Sequence, residues 1–166
     1  MKKITLVIVA VFLSLASLSG KAQTPKQATI KITGEVTTPL TITEADLQTY
    51  KQTTVIRKDR DGKDHTYAGV MLSDLLLKAG TTLGPDLKGE NLTKYLLVSA
   101  SDGYEVVFAL AELDKAYTDR AIILANQVDG KPLLPADGPF RIIVQDEKRP
   151  ARCIKQVVSL KIAFAK

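Results

Sequence analysis

The chain has 166 residues, a formal charge of +5, one Cys, one His and no Trp. That length suits one domain. A lone Cys excludes an internal disulfide, and one His with one Cys cannot complete a zinc ligand set without carboxylates. Lys2, Lys3 and Lys21 account for three of the charges and residues 1–22 hold no acid, so residues 23–166 carry only +2. A nucleic-acid footprint needs clustered Lys and Arg, so this balance excludes one. The 45% apolar content supports a packed core and argues against disorder.

The N-terminus reads as a secretory address. Lys2 and Lys3 form a positive start, Ile4–Leu18 is an apolar run, and Gly20 and Ala22 are the small residues of a cleavage site before Gln23. The run is shorter than the roughly 20 residues that span a bilayer, which disfavours a membrane anchor. The expected organisation is a signal peptide over 1–22 and a single exported domain over 23–166. No insertion into the membrane is expected after cleavage.

The rest reads as strands with a few short helices. Ala28–Val36 alternates at period 2, as a half-buried strand does. Thr43-Glu44-Ala45-Asp46 resembles a capping box opening a short helix. Thr53–Arg57 and Thr66–Val70 flank the hairpin signal Asp61-Gly62. Ser73 is expected to cap the helix that follows it, and Gly80 to end that helix in a left-handed conformation. Tyr95–Ala100 and Tyr104–Leu110 flank Asp102-Gly103. Ala121–Asn126 and Lys131–Leu134 flank Asp129-Gly130. Phe140–Gln145 and Ile154–Phe164 are the last strands. Regular strand–helix alternation is missing, so the expected class is α+β with mixed or antiparallel sheets and short helices.

Familiar catalytic signatures are missing too. There is no Gly-x-Ser-x-Gly elbow, HExxH, Walker A or GxGxxG pattern. His65, in the charged loop DRDGKDH beside Asp61 and Asp64, reads as a solvated turn residue, with a general base or metal ligand as the alternative. Cys153 reads equally as a core or a pocket thiol, and an oxidising compartment favours its burial. The unusual stretch is Gln145–Arg152. Pro150 disfavours helix at Arg149, and Arg149 and Arg152, three residues apart, can aim at one anion. Guanidinium forks suit carboxylate, phosphate or the carbonyl oxygens of flat heterocycles. Asp146 could face the amino edge of such a ring.

Five segments in order carry a family resemblance: ITGEVTTPLTITEADLQ, YAGVMLSDLLLKAG, SASDGYEVVFALAEL, ILANQVDGKPLLPADGPFRIIV and DEKRPARCIKQVVSLKI. Together they resemble the molybdopterin-binding oxidoreductase domain of the sulfite-oxidase family, in its small exported single-domain branch. The resemblance implies an α+β, sulfite-oxidase-like fold and a pterin-type ligand. It also exposes a departure. Catalytic members bind molybdenum through a Cys on the strand before a W-x-G-V segment. Here Arg57 or a close neighbour stands at that place, and the segment itself reads Tyr67-Ala68-Gly69-Val70. Cys153 is assigned to the wrong strand to substitute, and the second, immunoglobulin-like dimerisation domain of the catalytic enzymes has no counterpart in these residues. No Arg or Lys replaces a soft thiolate, so molybdenum is not expected and the missing ligand argues against an enzyme.

The resemblance therefore implies a non-catalytic pterin-binding protein of the bacterial periplasm, the soluble half of a pair with a membrane-bound sensor protein. The alternatives are a molybdopterin-dependent oxidoreductase without the thiolate, and an exported interaction module with an empty pocket. A pterin needs stacking faces and aimed polar groups. Tyr67 and Tyr104 are the aromatic candidates. Asp102, Glu105 and Asp146 are candidate acceptors for the amino edge. Arg57, Arg149 and Arg152 are candidate donors to a carbonyl oxygen or a phosphate.

Overall fold

The computed structural model describes residues 27–165. The expected signal peptide lies outside them. Strands β1 (Thr29–Gly34), β2 (Leu40–Thr43), β5 (Lys94–Ala100), β6 (Glu105–Ala109) and β10 (Val157–Phe164) form one sheet in the order β2-β1-β10-β5-β6. Strands β3 (Gln52–Lys58), β4 (Asp64–Met71), β7 (Ile122–Val128) and β8 (Lys131–Pro132) form a second in that order, with β9 (Arg141–Val144) also paired to β7. Among the described residues only β1 and β10 run parallel, and every other pair is antiparallel. The two α-helices among them, α1 (Glu44–Leu47) and α2 (Leu72–Lys78), are short. This is the expected α+β class with mixed sheets.

Alternation builds the core. In β1, Ile30 and Ile32 point inward between exposed Thr29 and Lys31, and in β5 Leu96 and Val98 do the same. They meet Val70, Leu124, Ile142 and Val144 of the second sheet, with the apolar side of α2, in one buried cluster. Leu72, Leu75 and Leu76 are fully buried there. Burial of each such side chain contributes about 1.5–3 kcal/mol before entropy is charged against it. The second sheet also has another apolar face. Val55, Tyr67, Ile123, Ala125, Leu133 and Ile143 form a smaller cluster on it.

Local chemistry explains the connections. Thr43 and Asp46 close the expected capping box: the Asp46 amide donates to Thr43 Oγ1 at 3.2 Å and the Thr43 amide to Asp46 Oδ2 at 2.8 Å. Asp129 and Gly130 both have positive φ (50° and 72°), as a two-residue hairpin of matching twist requires. Gly69 answers a different demand. A Cβ there would lie 2.1 Å from the Leu124 carbonyl oxygen, so β4 can approach β7 at this bulge only with glycine.

Three expectations change. Ser73 does not cap α2: the helix starts at Leu72 after Met71, no side chain caps it, and the buried Ser73 hydroxyl has no partner. Strand β2 was not expected, being four residues run directly into the capping box. The last strand begins at Val157, because Gln156 takes a left-handed φ of 49° and the residues before it belong to a turn.

Candidate functional site

The site grows from the smaller apolar cluster. Residues Arg57 of β3, Tyr67 of β4 and Arg141 of β9 sit on that face of the second sheet, nearly excluded from water. Two buried guanidinium groups need partners. Arg141 Nη1 donates to the Tyr67 hydroxyl at 2.7 Å and to Asp137 Oδ2 at 3.0 Å, and its guanidinium carbon lies 5.1 Å from the centre of the Tyr67 ring. The Tyr67 hydroxyl in turn donates to Asp59. Arg57 Nη1 donates to the Glu147 carbonyl oxygen at 2.9 Å, and its Nε lies 3.6 Å from Asp59 Oδ1. Burial, then the bond to Asp59, push the Tyr67 phenol well above its ordinary range, so it stays protonated. The Nε atoms of both Arg57 and Arg141 are buried without a hydrogen-bond partner.

A cleft of about 320 Å³ opens above this network. Asp59, Arg60, Asp137, Arg141 and Lys155 line it, with Pro150 and Cys153 contributed by the turn that follows β9. Lys155 Nζ pairs with Asp137 Oδ1 at 2.5 Å. The volume lies at the small end of the range of roughly 300–1,000 Å³ typical of ligand sites.

His65 sets the rim. Its Nδ1 lies 2.6 Å from Asp129 Oδ2 and its Nε2 3.0 Å from Asp61 Oδ2, so it ties the β3–β4 turn to the β7–β8 turn. Hydrogen bonding to Asp129, then to Asp61, raises its pKa to about 9. It is a charged bridge rather than a merely solvated turn residue, and its partners are Asp61 and Asp129. Cys153 resolves to both readings at once: it is buried, and it lines the cleft. It sits at the end of the 3-10 turn Pro150–Arg152, not on a strand as expected. Burial pushes its thiol up, so it is neutral near neutral pH. Among the described residues no three His, Cys, Asp or Glu side chains are grouped to hold a metal ion.

The structure brings some of the expected residues together and separates others. Tyr67 and Arg57 lie beneath the cleft, but the Tyr67 ring is only 2% exposed, so it supports Arg141 instead of presenting a free stacking face. Arg149, Arg152 and Asp146 lie in an open groove on the other side of the turn that carries Pro150 and Cys153. Arg152 is fully engaged there. Its Nε and Nη2 reach the two Glu147 carboxylate oxygens at 3.1 and 2.9 Å, its Nη1 reaches Glu112 at 2.9 Å, and it stacks on Phe108. Tyr104, Asp102 and Glu105 belong to the β5–β6 hairpin of the first sheet. Tyr104 donates to the Ala151 carbonyl oxygen at 3.1 Å, Asp102 accepts from the Tyr104 amide, and Glu105 accepts from Ser99. Arg141, Asp59, Asp137 and Lys155 were missed. The available signal was Arg141 itself, a charge inside the otherwise apolar strand Phe140–Val144.

The sequence matches the family described as oxidoreductase molybdopterin binding domain over residues 18–164. The chain belongs to that family. Its domain is thus of the molybdopterin-binding oxidoreductase type, a family that binds a pterin-type cofactor. Among solved structures, the sulfane dehydrogenase SoxCD from Paracoccus pantotrophus is similar, with a TM-score of 0.60 and 22% identity. The match covers 81% of this chain and 38% of that one, so this chain spans well under half the length of that relative. At such identity the likeness shows the fold, and the fold is the sulfite-oxidase-like one expected from the sequence. No curated protein matches the chain. Among the described residues no helix is long and apolar enough to cross a membrane.

Proposed function

We propose that this domain is a non-catalytic binding protein for a pterin-type ligand, exported to the bacterial periplasm and read there by a membrane-bound sensor. The observation that carries the reading is the lining of the cleft, where Arg141 is flanked by the carboxylates of Asp59 and Asp137 and its buried Nε has no hydrogen-bond partner. A pterin presents an amino group and a ring N–H on one edge and a carbonyl oxygen beside them. A carboxylate offers two acceptor oxygens to such an edge, and a guanidinium or ammonium offers donors to the carbonyl. Asp59 or Asp137 would take the first role, and Arg141 or Lys155 the second.

The donor set suits the organic ring better than a thiolate-held metal. Arg57 occupies β3, where the resemblance places the metal-binding Cys, and Cys153 offers a neutral thiol. A bound thiolate must first lose its proton. The cleft position of Cys153 favours one second reading, an oxidoreductase of the same family using that sulfur.

The test is fluorescence titration of the purified domain with an unconjugated pterin. Saturable quenching in the wild type, weakened at least tenfold in Asp137→Asn and retained in Arg149→Ala, supports the cleft as the ring site. Equal affinity in wild type and Asp137→Asn contradicts it.

A further inference from the structure

The wall of the cleft has a second side. The segment Asp146–Cys153 turns Pro150 and Cys153 toward the cleft, and Asp146, Lys148, Arg149 and Arg152 toward an open groove of about 480 Å³. Most of the negative charge in that groove is already neutralised. Arg152 holds both Glu147 oxygens and one of Glu112. Lys148 and Arg149 are exposed, and neither forms an ion pair with any described residue. Arg120 is 41% exposed and reaches Glu147 only at 3.5 Å. Three cations therefore face solvent with Asp146 as the one uncommitted acid among the groove residues.

The groove continues. Arg120 also lines a neighbouring hollow with Ala111, Glu112, Tyr117 and Thr118. Tyr117 is half exposed, yet its hydroxyl is fixed by donation to the Leu87 carbonyl oxygen at 2.5 Å. A rigid, exposed aromatic beside an arginine is a composition enriched at protein interfaces. So open a channel is poorly shaped to enclose a small molecule.

We infer that the channel running from Lys148 and Arg149 past Arg120 to Tyr117 docks an extended acidic segment of a partner protein, with an apolar side chain of that segment against Tyr117. The inference goes beyond the ligand reading and does not require the cleft to hold a pterin. Where that reading holds, the shared turn places the partner within one wall of the ligand. The wall is stiffened by the Arg57 bond to the Glu147 carbonyl and the Tyr104 bond to the Ala151 carbonyl.

The probe is a fluorescein-labelled peptide of alternating aspartate and glutamate ending in phenylalanine and leucine, followed by anisotropy. Binding is expected to saturate at low salt and to weaken at least tenfold in 0.5 M NaCl, where exposed charges are screened. The double variant K148E/R149E is expected to lose at least tenfold, and Tyr117→Ala at least threefold. Lys31→Glu on the far sheet is expected to bind as the wild type does. Equal binding by wild type and K148E/R149E overturns the inference. So does displacement of the peptide by millimolar inorganic phosphate, which would make the groove a small-anion site. Pterin titration of K148E/R149E separates the two readings: intact pterin quenching alongside lost peptide binding leaves the cleft unaffected.

Discussion

Arg141 and Tyr67, 74 residues apart in the chain, meet twice: the guanidinium lies over the phenol ring, and Nη1 donates to the hydroxyl at 2.7 Å. This contact joins β9 to β4 across β7 and holds the guanidinium between Asp59 and Asp137. Truncation in Arg141→Ala would leave Asp59 with Arg57 alone and Asp137 with Lys155 alone, and would remove the donor to the Tyr67 hydroxyl. Loss of one partner from a fully buried pair costs about 3–5 kcal/mol, and the partial exposure of the two carboxylates keeps the cost here below that. The expected result is a large fall in denaturation midpoint. Arg141→Lys, which keeps the charge and loses the fork, is expected to fall less but still to lose pterin binding.

Tyr67→Phe isolates the hydroxyl. The ring still fills the small apolar cluster, while Arg141 and Asp59 each lose one bond. A destabilisation of about 1–3 kcal/mol is expected for the unsatisfied groups, read from urea unfolding at unchanged slope. A variant as stable as the wild type would show that water replaces the hydroxyl.

The His65 bridge predicts an alkaline transition. Its folded pKa, about 9, lies above the ordinary value of 6.5. The unfolded chain releases the proton first, so the bridge contributes its full stability below about pH 6.5 and loses it as pH rises through 9. NMR titration of the imidazole should give a midpoint near 9. Thermal midpoints of wild type and His65→Gln should converge between pH 7 and pH 10. A midpoint near 6.5 would mean that Asp61 and Asp129 do not hold the ring in solution.

Gly69→Ala tests the close approach of β4 and β7. The added methyl would meet the Leu124 oxygen and the Ala125 Cα, both backbone atoms that cannot yield without opening the ladder. A loss of at least ~1–3 kcal/mol is expected, as for overpacking a core, measured by chemical denaturation.

How much of this was legible in sequence follows the range of each signal. The hairpins at Asp61-Gly62, Asp102-Gly103 and Asp129-Gly130, the capping box of Thr43 and Asp46 and the left-handed Gly80 are written in neighbouring residues, and all form. Ser73 misled because its residue type suits a cap, while the apolar period begins one residue earlier and draws it inside. The cleft depends on register. Only the pairing of β7 with both β4 and β9 sets Arg141 beside Tyr67. The stretch Gln145–Arg152 is visible as unusual, but which side of the turn each residue faces is decided by tertiary contacts such as Arg152 with Glu112 and Phe108.

The central claim is that the cleft over Arg141 holds a pterin without a sulfur-bound metal. Native mass spectrometry of the freshly purified full chain, with fluorescence and metal analysis on the same sample, tests it most directly. The account predicts a co-purifying fluorescent pterin, absent from Arg141→Ala, and no stoichiometric molybdenum. Stoichiometric molybdenum that is lost in Cys153→Ser would contradict it.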